Sequence, residues 1–390
     1  MKKYKCRMCE YIYENEDIPF EDLDAEYRCP VCGADKLMFD LYSFDLVIVG
    51  GGIAGVSAAI KARELNENVS IKLISNESAI YNRIRLIDLI SGSVSMSELL
   101  LYKADYLKSL NVEVIYNKEI KNFDFENKMV DDIKYDKLIM ATGAKPFVPE
   151  LDVDKDKILT VRTIKDVIEL NKVVKDDAKV CVVGAGVLGI EVAAAMTYKV
   201  MSVDIVANGD RIIPRQLSKK GSDILIRHLK KKNVEVIFNS VNLNDYDYVI
   251  VCTGVRTESV DKLEFNRGII IDSQMKTNIK DVYAAGDCTE YEGKMYGLWS
   301  VAMEQGELAA ESAVSEELEY NGSKFQTKIK VAGIDIFSVG DFDRETGDIE
   351  EVTESDKYYK IVKEEGKIIG AVVVSDNNKA MDILSEYRRG

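Results

Sequence analysis

Residues 45–60, DLVIVGGGIAGVSAAI, and residues 179–194, KVCVVGAGVLGIEVAA, match position by position: a short apolar run, then G-x-G-x-x-G, then a helical pattern. A second pair repeats as well, YDKLIMATGA at 135–144 answering YDYVIVCTGV at 246–255. This doubling admits few folds, because each half requires a strand that turns sharply into a helix, and it predicts two domains of one α/β design. In the first turn Gly50 accepts unusual backbone angles, Gly52 lets a pyrophosphate approach the main chain, and Gly55 lets helix and strand pack closely. Gly184, Gly186 and Gly189 repeat the arrangement. The phosphate then sits at the helix N-terminus, where unpaired amides and the macrodipole favour negative charge. One such motif alone is compatible with an ordinary strand-turn-helix; two, each with its T-G element, predict two dinucleotide sites.

Acidic residues help to tell the dinucleotides apart. After Gly55 the strand VSIKLIS ends near Glu77, about where a carboxylate meets a ribose hydroxyl; a plain turn residue is the alternative. After Gly189 the strand MSVDIVANGDR ends in Ala207 and Asn208, with no carboxylate at its tip and no Arg pair for a 2′-phosphate. NADH is therefore favoured over NADPH at the second site.

At 390 residues the chain is long enough for several domains, and its net charge of -15 argues against a nucleic-acid surface. It contains no uninterrupted apolar stretch of membrane length and no apolar N-terminal region, so neither a membrane span nor a secretory peptide is expected and the cytoplasm is the expected location. Histidine occurs once, as His228, which excludes imidazole triads and directs any catalysis to a cofactor. The basic run in IRHLKKKN reads as the solvated end of a helix. Seven cysteines fall into two groups: Cys6, Cys9, Cys29 and Cys32 in two Cys-x-x-Cys pairs, and Cys181, Cys252 and Cys288 apart. The clustered thiols suggest metal, and on spacing alone a zinc ribbon and an iron site are equally compatible.

Taken in order, VIVGGGIAG, LIMATGA, VVGAGVLGIE, VCTGVR and VYAAGDC resemble the signatures of the FAD- and NAD(P)-dependent pyridine nucleotide-disulfide oxidoreductases. The resemblance implies a first FAD-binding segment at 45–146, an inserted NAD(P)H-binding domain at 147–255, and a return to the FAD domain at 256–315. It places Ala141, Thr142, Gly143, Gly286 and Asp287 around FAD, with Asp287 on the ribityl chain. Residues 81–89, YNRIRLIDL, are similar to the flavin-contacting segment of these reductases and imply Arg83 and Arg85 near FAD. Asp88 stands where ferredoxin reductases have a lysine paired with a glutamate; Glu191 matches that glutamate and is the expected catalytic side chain, without its partner. No cysteine pair lies in the helix after the first turn or in the NAD domain, so disulfide chemistry is not expected.

The surroundings of the four thiols, KYKCRMCEYIY and IPFEDLDAEYRCPVCGADKLMF, resemble rubredoxin, with Tyr4, Tyr11, Tyr13 and Phe39 as covering aromatics. Two departures stand out: Glu10 replaces the glycine after the first pair, and the loop between pairs is about ten residues shorter than in rubredoxins. The resemblance favours iron over zinc. Four residues, LYSF, join this module to the first reductase strand and restrict its travel. The tail is similar to the small C-terminal domain of rubredoxin reductases and is expected to be an interface or docking surface. The expected architecture is thus α/β, with a rubredoxin-like metal domain (1–40), two Rossmann-like domains and a small α+β C-terminal domain (316–390). The expected activity is electron transfer from NADH through FAD and a four-cysteine iron to rubredoxin, a similar carrier, or an oxygen- or peroxide-reducing protein. The competing expectation is a flavin-containing regulatory or interaction protein with a structural zinc ribbon. Oligomeric state is not encoded in any motif.

Overall fold

The computed structural model describes residues 3–13, 18–103, 105–238, 240–315, 319–323 and 326–389. The chain divides into two compact units, one of residues 1–82, 100–144 and 257–323, the other of residues 83–99, 145–256 and 324–390.

In the first unit the apolar run 45–49 becomes the central strand of a five-stranded parallel sheet. Its order is Val282–Ala284, Lys137–Met140, Asp45–Val49, Ser70–Ile74, Val112–Ile115. Near-continuous burial of Leu46, Val47, Ile48 and of Leu138, Ile139, Met140 is what a parallel sheet covered on both faces demands. The helices Ile53–Leu65 and Trp299–Ser315 pack closely against each other, and a Cβ on Gly306 would stand 2.1 Å from the Ala54 carbonyl oxygen. The N-terminal module adds a small antiparallel sheet in the order Ile12–Tyr13, Tyr4–Cys6, Phe39–Leu41. Tyr4 stacks on Phe20 with ring centroids 4.3 Å apart, and Tyr13, Tyr27 and Phe39 close around the same ring. Tyr42 and Phe44 of the short linker are buried in the large core of the five-stranded parallel sheet.

The second unit repeats the design. Its parallel sheet runs Ile158–Thr160, Tyr248–Val251, Lys179–Val183, Ser202–Val206, Val234–Ile237, and each strand answers one of the first sheet in the same spatial order. One difference is in the chain: the outer strand beside the T-G strand comes last in the first sheet and first in the second. The tail forms five antiparallel strands between Gln326–Val331 and Lys367–Val374, covered by the helix Asn377–Arg389.

This tail packs on the inserted domain within the same unit. Arg211 forms two hydrogen bonds to the Asp343 carboxylate, the Ser218 and Tyr358 hydroxyls meet at 2.7 Å, and His228 Nε2 lies 2.9 Å from the Ala332 carbonyl. The helix end IRHLKKK, read as a solvated face, therefore has part of its surface on the tail, with Lys231 paired to Asp356. Among the described residues no helix is long and apolar enough to cross a membrane.

Candidate redox site

Four cysteines from two distant hairpin-like turns come together in the N-terminal module, with all Sγ atoms within 4.8 Å of one another. The two turns are built alike. The Cys6 amide donates to the Tyr11 carbonyl and the Glu10 amide to the Cys6 carbonyl; the Cys29 amide donates to the Ala34 carbonyl and the Gly33 amide to the Cys29 carbonyl, all at 2.8–2.9 Å. Both turns need a left-handed residue after the second cysteine. Gly33 takes it at φ +75°, and Glu10 takes it at φ +64° despite its side chain. The missing glycine therefore leaves the turn intact at a cost in strain. Glu10→Gly is expected to stabilise the module by about 1 kcal/mol, read as the midpoint of its thermal transition.

The four thiols do not share one environment: against amides directed at sulfur, burial and mutual hydrogen bonding hold Cys9 and Cys32 above the ordinary thiol value, while Cys29 is lowered. Burial works to raise the Cys29 thiol, but the backbone amides of Cys32 and Val31 with the neighbouring thiols outweigh it and bring it to about 7. Such a donor set, four sulfurs at one point with amides aimed at them, fits a tetrahedral metal of the zinc or iron kind.

The first glycine turn behaves as its sequence demands. A Cβ on Gly50, at φ +127°, would lie 1.9 Å from the Ala141 carbonyl oxygen, and one on Gly55 would lie 1.9 Å from the Gly50 carbonyl oxygen. Gly52 is different: nothing lies within 4 Å of the position its Cβ would take. Gly52 is also the N-cap of Ile53–Leu65, and no side chain caps that helix. Open space above uncapped amides fits a pyrophosphate. Ala141, Thr142 and Gly143 leave the neighbouring strand beside Gly50, where strand order reverses, the crevice in which such sheets bind ligands. Gly286, at φ +82°, has its would-be Cβ 2.9 Å from that of Ala54, so the Gly286–Asp287 turn abuts the same helix. Glu77 lies in the loop after Ser70–Ile74, where its carboxylate accepts a hydrogen bond from the Tyr81 hydroxyl.

One residue of this cradle escaped the sequence reading. Gln305, buried in the helix Trp299–Ser315, accepts from the Gly286 amide at 2.9 Å and from the Thr289 hydroxyl at 3.1 Å through one oxygen. The Q-G pair of MEQGELAA was the available signal. Gln305→Leu is expected to leave the buried Gly286 amide unpaired, while the Thr289 hydroxyl keeps the Gly286 carbonyl at 2.8 Å, costing roughly 2 kcal/mol and loosening FAD retention on gel filtration.

In the second unit Gly184, at φ +114°, would place a Cβ 2.4 Å from the Cys252 carbonyl oxygen, and Gly189 would place one 1.9 Å from the Gly184 carbonyl oxygen. Gly186 again has nothing within 4 Å and caps Val187–Met196 without a side-chain bond. The two turns are thus equivalent in detail. Beyond the following strand, Arg211 is held by Asp343. Cys181 and Cys252 are buried, and burial pushes both thiols up to about 12, so neither is a thiolate nucleophile.

Glu191 follows Gly189 on the same helix and accepts a hydrogen bond from the Ala332 amide at 2.9 Å, at the hairpin between Gln326–Val331 and Ile334–Gly340. Burial raises its carboxyl above the usual range, the Asp88 charge adds to this, and the Ala332 amide and Lys232 oppose it. Asp88 is itself paired with Arg85 at 2.9 Å. Arg83 and Arg85 lie on the short turn Arg83–Arg85 of this unit, Arg83 donating to the Arg162 carbonyl. The segment 83–99, expected within the FAD-binding segment, thus clusters with the inserted domain.

A folded-state pKa raised at Glu191 contributes stability that is fully present below the ordinary carboxylate value and lost as pH rises through the raised one. Glu191→Gln keeps an acceptor for Ala332, so it is expected to raise Tm relative to wild type at pH 8 and to leave it nearly unchanged at pH 4.

Comparison with known proteins places this geometry. The model of the pyridine nucleotide-disulphide oxidoreductases matches residues 44–306, and that of the rubredoxin NAD+ reductase C-terminal domain matches residues 326–389. The chain is 31% identical over 353 residues to an NADH-rubredoxin oxidoreductase of Clostridium acetobutylicum, a match that takes in 86% of this chain and 92% of that protein. It is also 31% identical over 381 residues to a nitrite reductase [NAD(P)H] of Bacillus subtilis, where 88% of this chain spans 47% of that protein. The crystal structure of the NADH:rubredoxin oxidoreductase from Clostridium acetobutylicum superposes with a TM-score of 0.78 at 30% identity, covering 90% of this chain and 96% of that one.

Proposed function

Because this chain belongs to the pyridine nucleotide-disulphide oxidoreductase family, we propose that it is an NAD(P)H:rubredoxin oxidoreductase that carries its own rubredoxin-like iron module. FAD, when bound, supplies the conversion of a two-electron hydride into single electrons. The chain's residues supply the rest. Gly50, Gly52 and Gly55, with the Thr142 and Asp287 turns, hold and orient one dinucleotide; Gly184, Gly186 and Gly189 hold NADH, with Glu191 fixing the helix beside it. Cys6, Cys9, Cys29 and Cys32 hold the metal, and the reading assigns iron because the residues flanking both thiol pairs resemble rubredoxin. The acceptor is a one-electron carrier of rubredoxin type, in keeping with the relative of nearly equal length.

The observation that carries this reading is the four-thiol cage joined in one chain to two glycine cradles that open onto uncapped helix amides. The test is an ultraviolet-visible spectrum of purified protein with metal analysis, before and after anaerobic NADH. Flavin bands together with thiolate-to-iron bands, both bleaching, are expected. One zinc per chain with bleaching of flavin alone would leave a flavoprotein whose module is a structural ribbon.

A further inference from the structure

We infer that the four-thiol centre of one molecule takes its electrons from the flavin of a second copy of this chain, and not from its own. This rests on the proposed function and follows from where the first unit places its two sites. All strands of its five-stranded sheet are parallel, so the sheet has an amino end and a carboxyl end. The dinucleotide cradle lies wholly at the carboxyl end: Gly50 follows Asp45–Val49, Ala141 follows Lys137–Met140, and Gly286 lies just beyond Val282–Ala284.

The thiols join at the other end. Tyr42 donates its amide to the Lys3 carbonyl at 2.8 Å, Ser43 its hydroxyl to the Asn68 carbonyl at 2.7 Å, and Asp45 its amide to the Asp136 carboxylate at 2.9 Å; the Ser70 amide reaches the Phe44 carbonyl at 3.0 Å. Asn68, Ser70 and Asp136 all stand at or just before the start of a strand of that sheet. Tyr42 and Phe44 are buried while Leu41, Ser43 and Asp45 are exposed, the alternation of an extended chain, and the two rings lie 5.4 Å apart in the core. Ile12 of the module packs on the same core. Residues 41–44 are therefore a pinned strut, on which the module cannot swing round to the cradle.

The central strand alone spans about 16 Å at roughly 3.3 Å per residue, and the thiols lie further back, since Cys6 pairs with Phe39. Electron tunnelling falls exponentially with distance, which disfavours transfer through this packed sheet. On the outside the centre is open: Cys32 is exposed, and Met8 and Val31, within the two Cys-x-x-Cys pairs, are 65% and 66% exposed.

Electron count is satisfied by this route. The balanced step is NADH with two ferric centres giving NAD+, a proton and two ferrous centres. Each chain holds one four-cysteine cage among its described residues, so at least one of the two electrons leaves the molecule that received the hydride. A second copy is the acceptor because every copy presents the same open thiol edge in equal number to the cradles.

Two variants with separate defects test this. Cys29→Ser is to keep FAD and lack iron; Gly52→Val is to keep iron and lack FAD. Alone, the iron bands of Gly52→Val should survive anaerobic NADH. Mixed with Cys29→Ser, or co-expressed and co-purified with it on two tags, they should bleach. In stopped flow, the rate constant for bleaching of wild-type iron should rise about tenfold for a tenfold rise in protein concentration. Should Gly52→Val fail to fold, wild-type protein stripped of FAD takes its place as acceptor. Wild-type iron that bleaches at a concentration-independent rate, with no bleaching in either mixture, overturns the exchange between copies and leaves the proposed function standing. Wild-type flavin that is reduced while iron stays oxidised overturns both.

Discussion

Gly52→Val is expected to yield a folded protein that emerges from purification without FAD, and Gly186→Val one that is yellow but is not reduced by NADH. The two substitutions separate ligand from fold because neither new Cβ meets any atom of the protein within 4 Å. Each side chain instead fills the space over the uncapped amides of a helix N-terminus, displacing phosphate from charge-assisted hydrogen bonds worth roughly 1.5–3 kcal/mol apiece. Loss of two such bonds predicts an affinity drop of more than about 100-fold. Val at an N-cap costs the helix a few tenths to about 1 kcal/mol relative to glycine, too little to unfold a domain of this size. Gly50→Val is the control, since it drives a side chain into the Ala141 carbonyl at a positive φ, and should lose fold and flavin together. Circular dichroism with flavin content distinguishes the three outcomes; a Gly52→Val protein with full flavin would remove the cradle assignment.

Cys29→Ser is expected to abolish metal binding and to melt the N-terminal module alone. A segment of about forty residues buries too little apolar surface to fold unaided, and its compact part consists of a few rings, Tyr13, Phe20 and Phe39, around the sulfurs. Removal of one thiolate from a four-thiolate cage therefore removes folding free energy directly. The large sheet, whose core is built from its own strands and helices, should keep its FAD content. Metal content below about a tenth of wild type is expected, together with faster proteolysis confined to the first forty residues. A variant that retains stoichiometric metal would show that three sulfurs suffice.

The features legible in the sequence were those in which one short stretch sets one geometry. The glycine turns were readable because positive φ and close approach exclude other side chains, and the thiol pairs because ligand spacing is local. Glu10 shows the limit of that logic: a residue that disfavours the left-handed conformation adopts it when the ladder around Cys6 and Tyr11 requires it. Gln305 and the Ala332 amide were not legible in their roles, since each acts on a partner far along the chain and leaves no periodicity of its own. Arg85 pairs with Asp88 three residues on, a local contact, but the pressure of Asp88 on Glu191 depends on how two helices pack.

The position of one outer strand along the chain has a consequence for synthesis. In the inserted domain the strand Ile158–Thr160 precedes all its partners, so that sheet is complete once the ribosome has passed Tyr248–Val251. In the first unit the corresponding strand, Val282–Ala284, is made last, after the whole inserted domain. The interrupted sheet must therefore hold an unpaired edge at Lys137–Met140 while its neighbour is already closed. Loop closure over that insertion makes it the later and slower of the two to form, and the stretch most exposed to mispairing on the ribosome.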